Sequence, residues 1–374
     1  MTKIARLGVD TSKSVFQLHG VDERDEVTLQ KQVRRRHFLE FLGKLEPALI
    51  GIEACGGSHH WARELAKLGH KVIVLPPQYV KPYVVRGKND KADAEAICEA
   101  MSRPRIRQRF VPVKSAEQAA AQMLLGTRDS VIKRRTQLGN TIRGYAAEFG
   151  LVARKGLSEI TPLLTRIEAD EGIPDLAKEM FATLGQELAE LAPRIAQLDK
   201  RLKAWQRSNE LCRRLAEIPT VGPIGACLLP IKISNPAAFR SGRMCAAWLG
   251  LTPKDHSTAG KLRMGGITRA GDESLRAVLV AGATAYIQQV RRGRTKPSPW
   301  LADLLRRKPP KLAAVALANK TARIAWKLMV SGQRYDAKRV ARERLAAAQS
   351  GGSAPSRSLH LHATAHGNSA MTAA

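Results

Sequence analysis

Aromatic residues are scarce, at 5% of the chain, so its cores must be built mainly from aliphatic side chains. Cysteine is rare too: five residues, at 55, 98, 212, 227 and 245, with no C-x-x-C pair. That scatter offers no zinc framework and suits free thiols in a reducing cytoplasm. No apolar run is long enough to span a bilayer. The start, Met1-Thr2-Lys3-Ile4, runs straight into a strand-like stretch rather than a signal peptide. Acid is the other shortage: 33 Asp+Glu stand against 62 Lys+Arg, a net charge of +29. A field of that size attracts polyanions over long range, so nucleic acid is the first partner implied and an anionic membrane surface the second. With 374 residues, 44% of them hydrophobic, the chain can bury two or three cores.

Where acid is scarce, its placement carries information. Asp90 and Asp93 are three residues apart, ahead of Ala94, Ile97, Ala100 and Met101 at helical spacing. Positions i and i+3 share a helix face, so both carboxylates point to one place in the first turn. Either a divalent cation offsets their repulsion, or Asp90 is an N-cap and Asp93 a first-turn acid favoured by the helix dipole. Asp10 and Glu53 each close a short apolar run that reads as a buried strand, Ile4 to Val9 and Ala48 to Ile52. Open α/β sheets bind ligands at that edge, though a lone acid there also serves as a turn residue.

Residues 1 to about 112 alternate strands and helices. Further strands are expected at Val15–Val21, Glu26–Val33 and Lys71–Leu75, with helices at His37–Leu45 and Trp61–Leu68. A meander followed by alternating elements predicts a mixed sheet with helices on its faces. Residues 115 to 205 turn helical and charged. Val131, Leu138, Ile142, Tyr145 and Phe149 mark one long amphipathic helix. Leu184, Leu188, Leu191, Ile195, Leu198, Leu202 and Trp205 step by four and three, a coiled-coil seam. Pro193 should kink or restart that helix. The two helices pack on each other or on a second copy, and the Gly- and Pro-punctuated stretch from 150 to 175 reads as loop or short helices.

Ile218-Pro219-Thr220-Val221-Gly222-Pro223 reads either as a helix-hairpin-helix, with amides offered to a phosphate, or as a plain turn between helices. An apolar helix ends at Gly250, and Lys254 to Lys261 forms a polar loop. Arg263, Arg269 and Arg276 follow, interleaved with Gly265, Gly266 and Gly271. A serine among arginines and glycines suits attack on a phosphodiester, and equally suits a surface ST-turn. Helices are expected over 275–293 and 311–335. Arg291-Arg292-Gly293-Arg294 and Arg306-Arg307-Lys308 are basic clusters placed to meet a nucleic acid backbone. Gln349 to Ala374 has the composition of a disordered tail.

Taken together, several pieces resemble the DEDD-type transposases of bacterial insertion sequences, the insertion-sequence one-ten group, relatives of the pilin-gene DNA invertase Piv. The N-terminal pieces are Gly8-Val9-Asp10, Ile52-Glu53-Ala54-Cys55-Gly56-Gly57 and Asn89-Asp90-Lys91-Ala92-Asp93-Ala94. The C-terminal pieces are Ile218–Pro223, Ala247–Pro253, Ser257-Thr258-Ala259-Gly260-Lys261 and Gly265–Arg276. The likeness spans Ile4 to about Asp336. It implies an α/β RuvC-like (RNase H-like) N-terminal domain over 1–112, a helical coiled-coil middle over 113–210, and a mainly α C-terminal transposase domain over 211–340. The remainder, 341–374, is a disordered tail.

By motif position the resemblance makes Asp10, Glu53, Asp90 and Asp93 the catalytic acids and ligands of Mg²⁺, and Ser257 the nucleophile. Ala259 departs from the usual glycine, and Thr258 and Ser241 are lesser candidates. Lys261, Arg263, Arg269 and Arg276 are the expected nucleic-acid contacts. The resemblance further implies DNA partners (element ends and target site), a structured guide RNA bridging them, and a nucleoid-associated dimer or tetramer joined through the coiled coil. A RuvC-like junction-resolving nuclease using water, and a non-catalytic nucleic-acid scaffold, are the competing readings.

Overall fold

Alternation of side chains along the first strand sets the layout of the N-terminal part. The computed structural model describes residues 3–84, 90–103, 110–258, 261 and 263–336, the side chains of 90 and 91 excepted. Met1–Gln333 form one unit and Arg334–Ala374 a second, so the expected tail lies outside the described residues. In β1 (Arg6–Thr11), Leu7 and Val9 are wholly buried on one face, which leaves Gly8 and Asp10 on the other. β2 (Val15–Val21) and β3 (Val27–Arg34) continue as an antiparallel meander. On the other side of β1, β4 (Leu49–Glu53) and β5 (Lys71–Leu75) run parallel to it. The sheet order is β3-β2-β1-β4-β5, the mixed sheet expected.

Helices cover both faces. α1 (Phe38–Gly43) and α2 (Ser58–Lys67) seal the Leu7 and Val9 side, over a core that includes Phe16, Ile50, Ile52 and Leu65. Phe16, Phe38 and Trp61 meet edge to face with centroids 4.6, 5.0 and 5.3 Å apart. Each such pair adds about 0.5–1.5 kcal/mol beyond its burial, so the few aromatics are concentrated where they count. α3 (Pro77–Val80) and α4 (Asp90–Ser102) cover the opposite face with Ile97 and Met101. Two glycines set how close α4 lies. Gly8 and Gly51 are register partners on neighbouring strands. A Cβ on Gly8 would stand 2.1 Å from the Ala94 carbonyl oxygen, and one on Gly51 2.9 Å from Met101 Sδ.

The next part is a helical hairpin. α5 (Ala116–Glu148) begins in a capping box of Ser115 with Gln118, and α7 (Asp175–Ser208) returns along it. Arg128 pairs with Asp199 at 2.5 Å and Arg134 with Glu187, a pairing order that makes the helices antiparallel within one chain. α6 (Ile160–Ala169) fills the tip, with Leu157 against Gly139 and Leu164 against Gly185. The seam residues Leu191, Ile195 and Leu202 are buried. Of the kink or restart expected at Pro193, the restart does not occur: α7 runs through it unbroken, and the proline is exposed and so can leave a carbonyl to water. Tyr145, 56% exposed, lies off the buried face that Ile142 and Ala146 define, whereas Phe149, 38% exposed, keeps to it and meets the buried Phe181 edge to face with centroids 6.2 Å apart.

α8 (Glu210–Ala216) and α9 (Pro223–Lys232) flank the Ile218–Gly222 turn. Thr220 is buried, its hydroxyl sharing a 2.6 Å hydrogen bond with Thr321, and its carbonyl fills the space where Gly282 lacks a side chain. The turn is thus locked into a helical core. That core is completed by α10 (Gly242–Trp248), α11 (Glu273–Arg291), α12 (Pro299–Arg307) and α13 (Pro310–Ser331). The polar loop expected after Gly250 is the end of a two-stranded ribbon, β6 (Pro253–Asp255) and β7 (Met264–Ile267).

Candidate active site

Asp10 and Glu53 end neighbouring parallel strands. Their predecessors Val9 and Ile52 are register partners, so the two acids stand at one level, roughly 4.8 Å apart in strand spacing. Each lies two residues beyond a glycine that faces α4, which turns both carboxylates to the α4 side. There the first turn of α4 begins, with the Ala94 carbonyl directly over Gly8. The result is electrostatic. Burial holds the Glu53 carboxyl above the usual carboxylate range, and the charges of Asp10 and then Asp93 push it further up. Asp10 and Asp93 thus both lie within electrostatic reach of Glu53. The backbone puts Asp90 at the head of the same helix, but its side chain lies outside the described residues.

The turn after Glu53 is held in place. Ser58 Oγ donates to the Cys55 carbonyl at 3.0 Å, and Thr11 Oγ1 lies 3.4 Å from Cys55 Sγ, tying the ends of β1 and β4 together. Among the described residues no three His, Cys, Asp or Glu side chains are already spaced as a metal site. The donor set nonetheless suits a hard divalent cation: carboxylate oxygens, gathered where one ionised group is disfavoured by its neighbours.

Ser257 sits near the tip of the ribbon, exposed. Its amide donates to Asp255 Oδ1 at 2.8 Å, and its hydroxyl oxygen accepts from the Arg263 amide at 3.0 Å. Hydrogen bonds from the Ser257 hydroxyl and amide hold the Asp255 carboxyl below its ordinary value. These partners all belong to the ribbon, and none reaches the acids of the sheet. Thr258 pairs with Lys261 in an isolated bridge, and Ser241 caps α10 by accepting from the Met244 amide. Lys261, Arg263 and Arg269 are exposed. Arg276 is instead buried, with its guanidinium donating to the Leu249 and Ala270 carbonyls at 3.2 and 2.8 Å. It clamps the base of the ribbon rather than lining a surface. Gly250 and Gly271, both at φ 71°, let the two strands of that base meet backbone to backbone.

Comparison with known proteins agrees with this layout. Residues 7–149 match the DEDD family described as "Transposase", and residues 212–297 match "Transposase IS116/IS110/IS902 family". A putative transposase y4pF/y4sB of Sinorhizobium fredii is 60% identical over 89% of this chain and 86% of its own length. A probable family 20 transposase of Pseudomonas aeruginosa is 44% identical, over 87% and 97%. The transposase for insertion sequence element IS1111A of Coxiella burnetii is 38% identical, over 90% and 92%. This chain belongs to the IS116/IS110/IS902 transposase family. It is an insertion-sequence transposase, an enzyme that cuts and rejoins DNA, and its DEDD domain implies dependence on a divalent metal ion. No helix among its described residues is long and apolar enough to cross a membrane.

Two features of this transposase escaped the sequence. The first is the joint between its N- and C-terminal parts. Lys114 donates its amide to His59 Nδ1 at 3.3 Å and its carbonyl accepts from Arg63 at 2.8 Å. Burial, Lys114 and Arg63 push the His59 pKa down to about 4. Burial and then Lys232 lower the pKa of Lys114, while Asp272, salt-bridged to Lys232 at 2.7 Å, raises it. The second is the run Arg34-Arg35-Arg36 at the end of β3, visible in sequence only as a short charge cluster after a strand. Of the basic clusters that were expected to matter, Arg306 and Arg307 spend their charge on Asp303 at 2.7 and 2.6 Å.

Proposed function

We propose that this transposase couples a RuvC-like, RNase H-like N-terminal domain (1–112) through a coiled-coil segment (113–210) to a C-terminal domain (211–340), and breaks DNA with Ser257. The observation that carries the reading is the side-by-side placing of Asp10 and Glu53 at the end of a β3-β2-β1-β4-β5 sheet closely covered by α4, where burial and then the charges of Asp10 and Asp93 raise the Glu53 carboxyl. Asp10, Glu53, Asp90 and Asp93 are the residues that would hold Mg²⁺, which when bound stabilises charge on the oxygens of an in-line phosphoryl displacement.

The chain's own groups account for the rest. The Arg263 amide occupies a lone pair of Ser257 Oγ, and Asp255 takes its hydrogen, so the hydroxyl is oriented before substrate arrives. Ser257 Oγ attacks the phosphorus as its proton passes to a neighbouring carboxylate. The new O–P bond forms while the bond to the 3′-oxygen breaks, and that oxygen picks up a proton. Attack by the partner strand's 3′-hydroxyl reverses the step, rejoins DNA and frees the serine. Exposed Lys261 and Arg263 flank Ser257 at the ribbon tip and exposed Arg269 lies at its base, a basic edge to receive the phosphate backbone.

Because the hydrogen-bond partners of Ser257 are all in its own ribbon, we assign its meeting with the acids to the assembled form, a dimer or tetramer joined through the paired helices. The net charge of +29 supports simultaneous binding of DNA and a structured guide RNA that bridges donor and target. The experiment is a labelled-DNA assay of Ser257→Ala, with loss of the covalent protein–DNA adduct expected. The same isolation of Ser257 favours one alternative, hydrolysis by water at the acids, in which Ser257→Ala still cleaves and no adduct forms in the unmodified protein.

A further inference from the structure

The end of the sheet that carries Asp10 and Glu53 also carries an unpaired cationic groove. Arg34, the last residue of β3, is the register partner of Val15, and the Arg35 amide donates to the Ser14 carbonyl at 2.9 Å. Ser14, Arg34, Arg35, Arg36 and the edge of Trp61 line a cavity of about 580 Å³. All three arginines are exposed, and among the described residues none of them forms an ion pair. Arg36 donates only to its neighbour His37, at 2.9 Å. The Arg35 guanidinium lies 5.0 Å from the centroid of Trp61 and 5.9 Å from that of Phe16. Trp61 is 6% exposed, so that stack is anchored in the core.

Three adjacent guanidiniums repel one another, and among the described residues no acid pairs with them. A polyanion laid across them would relieve that repulsion. Stacking fixes the plane of Arg35 and leaves its N–H edges free, the arrangement that suits bidentate contact with phosphate oxygens. The position is also informative. Asp10 pairs with Gln17 on β2, and Val15 of β2 pairs with Arg34. Arg34 is therefore two inter-strand steps across and two residues along from Asp10, roughly 12 Å away on the same edge. A cluster of carboxylates repels a nucleic acid strand, and cations one or two nucleotides away offset that repulsion.

We infer that Arg34, Arg35 and Arg36 form a phosphate-backbone site for the nucleic acid strand that crosses the sheet edge to the acids. The inference rests on the reading of those acids as the cleavage site, but its test does not need cleavage. The full chain is titrated, without divalent metal, against a short single-stranded DNA and the same sequence as RNA over a range of salt. Arg34→Gln/Arg36→Gln should weaken binding about tenfold at low salt. It should also flatten the logarithmic salt slope by about 1.4, at about 0.7 per phosphate contact on a single strand. Arg35→Lys, which keeps the charge and loses the planar stack, should fall between. Loss with DNA alone, RNA alone or both identifies the strand. In the unmodified protein, bound oligonucleotide should protect Arg34 and Arg36 from phenylglyoxal. Unchanged affinity and slope with both nucleic acids, or no protection, overturns the site. Loss of cleavage in an acid variant with binding intact would bear only on the cleavage reading.

Discussion

The acids and the serine of this transposase are held in opposite ways. Asp10 and Glu53 are fixed by register in a sheet whose neighbours are fully buried, and α4 is brought onto them by two facing glycines. Ser257 rides on a ribbon of short exposed strands, anchored only at its base by Gly250, Gly271 and the buried Arg276. On the reading proposed above, a rigid group that gathers charge and a projecting group that delivers a hydroxyl would come together on assembly.

That contrast can be broken from either side. The largest effect is expected at the sheet. Asp10→Asn or Glu53→Gln should lower strand cleavage by roughly 10²–10³-fold or more, the scale of losing one charge-stabilising group, while DNA binding in a gel-shift assay stays near that of the unmodified protein. Next is Gly8→Ala. Its Cβ would collide with the Ala94 backbone oxygen at 2.1 Å, which no rotamer change relieves. Unfolding in denaturant should show a loss of about 1–3 kcal/mol or more, together with loss of metal-dependent cleavage. At the ribbon, Arg276→Ala should cost about 1–3 kcal/mol, because two carbonyls lose their donor. There the covalent adduct should fall with metal binding unaltered, and an equal loss of both would erase the distinction between the regions.

Smaller effects sharpen the picture. His59, held to about 4, stays neutral in the folded chain while the unfolded residue takes up a proton near pH 6.5. The unfolded state thus binds more protons between these values, and stability falls as pH drops through that window. His59→Asn should flatten the dependence of Tm on pH there; an unaltered slope would remove His59 from the joint. Ser241→Ala, which deletes the cap of α10, should cost about 1 kcal/mol and leave adduct formation intact.

The sheet was legible because its pattern is local. Apolar runs of strand length ended in acids, and two of the five strands match their expected limits, Val15–Val21 and Lys71–Leu75. The convergence of Asp93 on Glu53 was legible only as a possibility, since it depends on Gly8 and Gly51 facing each other across two strands far apart in sequence. The ribbon was missed because Lys254–Lys261 is mostly polar with no strand-like alternation, and its pairing partner lies beyond the loop. Arg276 looked like a surface cation because its charge gave no hint of the two carbonyls, 6 and 27 residues earlier, that its guanidinium holds. Pro193 allowed a kink or a restart, and the helix continues through it because the proline is exposed while the opposite face is packed.

On the proposed reading the sheet-edge acids act together in holding a divalent cation. Binding of Mn²⁺ to the full chain, followed by electron paramagnetic resonance, tests it without DNA. Saturable binding that is lost in Asp10→Asn, Glu53→Gln and Asp93→Asn alike is the predicted result; binding that survives Glu53→Gln unchanged would contradict it.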